Sequence, residues 1–408
     1  MDTEAKLELV AGNATLEHAE EKRGEAPPSN SVAACGHSPL ELKRAYEQIQ
    51  AGSVSMLDTK KNSLGIHHAV MPGGKTIALL KTMLTSACER DCYYCPFRAG
   101  RDFRRATFKP DEMARTFNEL QRSRVAEGLF LSSGIAGGGV RTQDKLIDTI
   151  DVLRNKLNYR GYVHLKIMPG TERDQVRRAM QLSDRISINL EAPNSRRLAD
   201  LAPHKVFMEE LLQPLRWAEE IRRTQPARLG WSGKWPSLAT QFVVGAVGEN
   251  DLEILSTTSY LIKKLRLART YFSAFNPVTN TPLENHAPEN PWREHRLYQS
   301  SFLLRDYGFD LEDMPFTQEG FLPLDVDPKV AWARQNLHNP IEINRADRRE
   351  LLRVPGIGPK GAEAILVARH KNVLRDLKDL KTLGVIVARA APFVLLNGRR
   401  PSWQLSLW

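Results

Sequence analysis

Residues 77–97 read IALLKTMLTSACERDCYYCPF, and the rest of the chain is best understood outward from them. The first half, IALLKTML (77–84), is an apolar run bounded by small polar residues, which predicts a buried strand. The second half carries Cys88, Cys92 and Cys95 at the spacing C-x3-C-x2-C. A strand that runs straight into three thiols puts them at the carboxyl end of a sheet, where parallel βα architectures gather their functional loops. Closed zinc sites and fully ligated iron–sulfur clusters usually take four protein ligands, so three thiolates in one loop predict a metal centre with one exchangeable position. A zinc site completed by His67 or His68 is the alternative, since zinc accepts Cys3His. The remaining cysteine, Cys35, stands alone in a polar stretch and reads as a stray thiol.

Outward from this stretch the same texture returns at GLFLSS (128–133), YVHLKIM (162–168), RISINLE (185–191), LATQFVV (238–244) and ARTYFSAF (268–275). Amphipathic segments lie between: 110–123, 142–157, 172–184, 206–224 and 250–265, with Thr142, Thr171 and Asn250 as N-cap candidates. Alternating strands and helices imply parallel strands joined by right-handed crossovers. Several strands are apolar along most of their length, which predicts an α/β fold with a partial (βα)6 TIM-like barrel whose sheet is buried on both faces. Gly137 to Gly139, after the second of these strands, suit either a phosphate-binding turn or a flexible one.

The chain has 408 residues and a net charge of +10, with 41% hydrophobic residues. From Ile341 to Trp408 there are 13 Lys and Arg against 6 Asp and Glu, so this short tail holds +7 of the total. Such a basic module predicts a polyanionic partner. The first residues lack the apolar core of a secretory signal, and no run approaches the ~20 apolar residues of a membrane span. Clustered thiols without a disulfide pattern predict a cytoplasmic protein with no membrane partner. The expected organisation is a flexible leader (1–45), a partial barrel (46–285), a connector (286–340) and a small all-α domain (341–408).

Cys88, Cys92 and Cys95, directly after the first strand of a six-fold βα pattern, resemble the cluster loop of the radical S-adenosylmethionine superfamily. That resemblance implies a 4Fe-4S cluster held by the three thiolates and S-adenosyl-L-methionine on its open iron. Reductive cleavage would then release a 5′-deoxyadenosyl radical that abstracts hydrogen from substrate, with electrons from a donor such as flavodoxin or ferredoxin. It further implies cofactor contacts at Tyr94 (adenine), Ser132, Ser133 and Gly134 (methionine amino group), and Asn189 and Glu191 (ribose). The acidic residue that often ends the serine stretch is replaced by Ile135, leaving serine hydroxyls or backbone carbonyls for the amino group. Arg196, Arg197 and Lys205 compete for the methionine carboxylate, with Lys205 favoured by spacing, and Lys166 and Asn276 sit at strand ends that face substrate.

In the tail, LLRVPGIGPKGAEAIL (351–366) resembles the helix-hairpin-helix module of DNA repair and recombination proteins. Gly356 and Gly358 allow a tight hairpin, Pro355 fixes its entry, and backbone N–H groups with Lys360 can meet a DNA phosphate. A second, degenerate copy turns at Gly384. The whole chain resembles DNA modification/repair radical S-adenosylmethionine proteins. Rival readings are an iron–sulfur DNA glycosylase using Lys360, a non-catalytic iron–sulfur DNA sensor, and RNA in place of DNA.

Overall fold

The computed structural model describes residues 3–12, 66–70 and 76–402. The described chain divides into two compact units, one of residues 3–12, 66–70, 76–249 and 263–290, the other of residues 250–262 and 291–402. Helix α1 (Thr3–Gly12) falls where a loose leader is expected, yet its Leu7 and Val10 are buried and Lys6 pairs with Glu112 at 2.6 Å. The rest of the expected leader, Cys35 included, lies outside the described residues.

The first unit is built on a seven-stranded sheet whose spatial order follows the chain. Strand β1 (Ile66–Val70) runs antiparallel to β2 (Thr76–Met83), an edge hairpin the sequence reading missed. The others, β3 (Gly128–Ser132), β4 (Tyr162–Lys166), β5 (Arg185–Ser187), β6 (Ser237–Val244) and β7 (Arg269–Ala274), continue the ladder in parallel from β2. Strand β5 ends four residues short of the expected Glu191, and the chain rejoins the sheet through a lone bridge from Glu191 to Phe242. Consecutive order with right-handed crossovers puts all connecting helices on one side, as in a barrel and unlike a doubly wound sheet. Among the described residues the pairing stops at β7, so the barrel is partial.

The connecting helices are α2 (Pro110–Arg122), α3 (Gly139–Asp151), α4 (Arg173–Leu182), α5 (Ser195–Leu201), α6 (Gln213–Thr224) and α7 (Asp251–Leu265). Asn250 caps α7 as expected, its side chain accepting from the Glu253 N–H at 2.9 Å while Glu253 returns the bond at 3.0 Å. Thr142 and Thr171 are not caps. Helix α3 starts three residues before Thr142, whose hydroxyl donates back to the Gly138 carbonyl at 2.8 Å, and α4 is capped by Glu172 with Gln175 at 3.0 Å.

The two faces of the sheet separate by chemistry. One carries Leu80, Leu129, Leu131, Val163, Leu165, Ile186, Leu238, Phe242 and Phe272, all fully buried, and is the apolar face that crossover helices require. Register puts Lys81, Phe130, His164, Arg185 and Ser237 side by side on the other face. The sheet is buried on both faces as expected, but the second face mixes apolar residues such as Leu79 and Phe130 with buried polar ones such as Lys81 and His164.

The second unit contains α8 (Pro291–Asp306), α9 (Pro328–Asn336), α10 (Arg348–Arg353), α11 (Pro359–Arg369), α12 (Leu377–Thr382) and α13 (Val387–Ala390). Leu351, Leu352, Val354, Ile357, Ala362, Ile365, Leu380 and Val385 form its small core. It is not all-α: β8 (Ile341–Glu342) and β9 (Val394–Leu395) pair in parallel and tie the first and last segments of residues 341–395 together.

Candidate active site

The cysteine loop leaves the end of β2 without regular structure, so its shape depends on side chains that fasten it. Arg105 reaches back to four carbonyls, those of Ser86 (2.8 Å), Phe97 (3.1 Å), Arg98 (2.9 Å) and Arg101 (3.3 Å). Arg90 pairs with Glu210 at 2.6 Å and also donates to the His204 carbonyl, while Asp91 lies 3.1 Å from His204 Nδ1. These contacts anchor the segment that presents Lys205 beside the thiols. The other wall is the stretch after β3. The Glu89 N–H donates to the Ile135 carbonyl at 2.8 Å, and the Ile135 N–H points at Cys88 Sγ, 3.5 Å away.

Gly134 is fixed by this clamp, because a Cβ there would come within 2.3 Å of the Ala87 carbonyl oxygen. Ser132 and Ser133 are buried beside it, and the Ser133 hydroxyl donates to the Gly134 carbonyl at 2.7 Å. The neighbouring glycine run is no phosphate cradle. The Glu89 carboxylate accepts from the N–H groups of Gly137 at 3.0 Å and Gly138 at 3.1 Å, which occupies the donors an anion would need and places a repelling charge on them.

Cys92 is buried, Cys88 and Cys95 half-buried, all three are free thiols, and each of Cys92 and Cys95 feels the charge of a neighbouring thiolate. Burial pushes Cys92 and Cys95 above the usual thiol range, and Lys205 beside them pulls the other way. Lys205 is itself buried, which acts to lower its pKa, yet Cys92 and Glu191 hold it above its ordinary value. Its Nζ sits 3.0 Å from Glu191 Oε1, an ion pair almost wholly removed from water. Burial, and then the charge of the Glu191 carboxylate, likewise raise Tyr94.

Glu191 adopts φ +65°, a left-handed conformation costly for a non-glycine residue. Hydrogen bonds on both sides hold it there, from its N–H to the Gln241 carbonyl (3.0 Å) and from the Val243 N–H to its own carbonyl (2.8 Å). Strain held this firmly marks a position whose side chain matters. Asn189, two residues earlier, donates to Gln241 at 3.2 Å and keeps a buried Oδ1 without a hydrogen-bond partner.

The sequence-named residues thus separate. Tyr94, Glu191 and Lys205 converge on the cysteines, and Ser132, Ser133 and Gly134 form the adjoining wall. Of the rivals to Lys205, Arg196 is exposed and Arg197 bonds the Val247 carbonyl at 2.8 Å. Asn276 folds back on the Ala274 carbonyl at 3.2 Å and is exposed, whereas Lys166 lies on the mixed face of β4. Glu89 and Arg90 were missed, although two charges inside a cysteine spacing are a legible sign of a loop that must be tied down.

No group of three or more His, Cys, Asp or Glu side chains among the described residues converges as a single metal ion requires. His67 and His68 pair with Leu79 and Ala78, short of the strand end where the loop begins, and do not complete a zinc site. A polynuclear cluster needs thiolates on separate irons, a spaced arrangement of soft donors that these three cysteines fit. The orphaned Asn189 Oδ1, the Tyr94 ring and the Glu191–Lys205 pair fit a polar nucleoside-like cofactor beside it.

In the second unit, residues 354–358 turn between α10 and α11 with Gly356 at φ +83°. A Cβ on Gly356 would meet the Ile386 carbonyl at 2.4 Å, because the Gly384 turn packs against it and the Ile386 N–H bonds the Gly356 carbonyl at 3.0 Å. No side chain caps α11 at Gly358, its first residue Pro359 has no N–H to cap, and the exposed Lys360 follows. From α9, the buried Lys329 donates to the Ile357 carbonyl at 2.6 Å and braces the turn from within. Arg375, Lys378, Arg399 and Arg400 line a separate cleft of about 700 Å³ in this unit.

No protein-family model matches the sequence, and no curated protein does. Several solved structures align with part of the chain. The FeFe-hydrogenase maturase HydG from Carboxydothermus hydrogenoformans aligns at 15% identity over 56% of this chain and 51% of that one, with a TM-score of 0.42. Methylornithine synthase (PylB) aligns at 13% identity over 74% and 76%, with a TM-score of 0.46. The radical S-adenosylmethionine methyltransferase TsrM from Kitasatospora setae aligns at 12% identity over 53% and 39%, with a TM-score of 0.38. The chain spans about half the length of the HydG structures it matches. Likeness at this level says nothing of activity or substrate. Among the described residues no helix is long and apolar enough to cross a membrane.

Proposed function

We propose that this chain is a radical S-adenosylmethionine enzyme that acts on DNA. The observation that carries the reading is the convergence of Cys88, Cys92 and Cys95 with Tyr94, Glu191 and Lys205 at the carboxyl ends of parallel strands. The three thiolates would hold a 4Fe-4S cluster, whose chemistry on bound S-adenosyl-L-methionine is reductive cleavage to a hydrogen-abstracting radical. The chain's own residues do the positioning. Lys205 offers a permanent positive charge to the methionine carboxylate, Asn189 Oδ1 and Glu191 accept from ribose hydroxyls, and Tyr94 packs on the adenine. The buried walls at Ser132–Gly134 exclude water from the reacting atoms.

Action on DNA rests on the second unit. Its turn at 354–358, the uncapped N-terminus of α11 and the exposed Lys360 form a helix-hairpin-helix-like phosphate contact, in a tail with a net charge of +7. Such contacts hold a strand without reading its sequence. Chemistry on a base then requires a flipped or single-stranded target. The test is mass analysis of single- and double-stranded DNA incubated with the reconstituted, reduced protein and S-adenosyl-L-methionine. A mass change in DNA, with 5′-deoxyadenosine formed, supports the reading. 5′-Deoxyadenosine with unaltered DNA overturns the DNA substrate, and its absence overturns the radical enzyme.

A further inference from the structure

The cleft of about 700 Å³ in the second unit has two walls, and the fold fastens both. Arg375 and Lys378 come from the start of α12, Arg399 and Arg400 from the chain after β9. Asn344 joins the walls. Its amide donates to the Leu374 carbonyl at 2.9 Å and to Asn397 Oδ1 at 3.2 Å, and its Oδ1 accepts from the Leu374 N–H at 3.0 Å. Asn397 and Gly398 have φ +54° and +74°, the two-residue hairpin turn that lets Leu396 and Arg399 exchange N–H to carbonyl bonds of 2.9 and 3.2 Å. Backbone pairing thus sets where Arg399 leaves the wall.

The carboxylates beside these cations are taken up by backbone N–H groups. Asp376, the one carboxylate of the lining, accepts from Lys378 at 2.8 Å and Asp379 at 3.0 Å, so the start of α12 is capped and offers no anion site of its own. Asp379 accepts from the Arg375 N–H at 2.7 Å. Glu342 accepts from the N–H groups of Asn344 at 3.1 Å, Asn397 at 3.2 Å and Gly398 at 2.7 Å. All four basic side chains are exposed, and among the described residues none of them takes part in an ion pair. Acids that hold the loops, and cations that face each other across a concave surface without an acid of their own, are what an external polyanion requires.

We propose that this cleft binds the phosphodiester backbone of a DNA strand, with Arg375 and Lys378 on one side of it and Arg399 and Arg400 on the other. The proposal rests on the DNA reading and gives the second unit a phosphate contact that shares no residue with the turn at 354–358 or with Lys360. Cations spread over two walls suit the repeated charges of a strand, whose neutralisation releases counterions, whereas a lone phosphate asks for donors converging on one point. Contacts of this kind position a strand without reading its sequence.

The test uses the full-length protein without S-adenosyl-L-methionine, so that binding is read independently of radical chemistry. Fluorescence anisotropy with labelled single- and double-stranded oligonucleotides gives affinity as a function of salt. Arg375→Gln and Arg399→Gln are each expected to weaken binding to unrelated sequences alike, and to lower the slope of log affinity against log salt by about 1. A merely structural loss would not move that slope. Arg399→Lys keeps the charge and keeps the slope, with thermal melting confirming that each variant folds. Adding Lys360→Gln to Arg399→Gln lowers the slope further, since the two contacts are separate. Folded Arg375→Gln and Arg399→Gln proteins with the parent's slope would overturn the proposal and leave the hairpin as the DNA contact. Binding of phosphatidylserine vesicles or polyglutamate through Arg375 and Arg399, in a protein whose DNA affinity ignores both residues, would overturn it too. A parent that binds no DNA would overturn this proposal and the DNA reading together. Failure to cleave S-adenosyl-L-methionine would leave the binding result standing and fall on the radical reading instead.

Discussion

At the cysteine loop, recognition is done by buried side chains held in costly states: thiols pushed up by burial, a carboxylate and an ammonium paired out of water, a glutamate at φ +65°. At residues 354–361 the proposed phosphate contact would be made by backbone, with an uncapped helix start and a glycine that lets two turns touch. A site of the first kind gains chemistry and is intolerant of any change in charge. A site of the second kind would gain general grip on phosphates, and would be sensitive to shape more than to any one side chain. Four substitutions probe that contrast.

The largest effect belongs to Cys92→Ala, which removes the most buried thiol. Reconstituted protein should lose its cluster absorbance and iron entirely, while binding of DNA by the hairpin unit remains. Next is Lys205→Met, which leaves Glu191 charged, buried and unpaired. Breaking such a pair costs about 3–5 kcal/mol, readable as a drop in the unfolding midpoint, and Lys205→Arg should restore part of it. Equal stability of Lys205→Met and the parent would mean that the buried pair contributes nothing to the fold.

Gly356→Ala forces a Cβ to within 2.4 Å of the Ile386 carbonyl at a backbone angle that favours glycine. The expected loss is about 2 kcal/mol or more, with DNA affinity falling and iron content unchanged. Lys329→Met gives the smallest effect and a pH signature. Burial lowers Lys329 from 10.5 to about 7, so between those values the unfolded chain holds a proton that the folded chain has released. Stability therefore rises with pH across that window in the parent, and the variant should lack this rise in urea titrations at several pH values.

Much of this was legible in the sequence because the deciding features are local. Three cysteines after an apolar strand give the loop and its place, and strand–helix alternation gives the parallel sheet. The PGIG turn appears where its glycines and proline fall. What escaped depends on pairings between distant segments. The polar residues of the second face were hidden because Lys81, His164, Arg185 and Arg269 each look incidental within an apolar strand until register aligns them. Glu89 at the glycine run, and Lys329 beneath the hairpin turn, are contacts across 48 and 28 residues that no spacing rule predicts. The short pairing of Ile341 with Val394 was invisible for the same reason, since two-residue strands leave no periodicity.

The cysteine loop's assignment as the seat of radical chemistry is tested most directly by one assay. Protein reconstituted anaerobically with iron and sulfide, then reduced in the presence of S-adenosyl-L-methionine, should release 5′-deoxyadenosine and methionine, and Cys92→Ala should release neither. A reconstituted protein that holds its cluster, accepts an electron and leaves S-adenosyl-L-methionine intact would contradict the account.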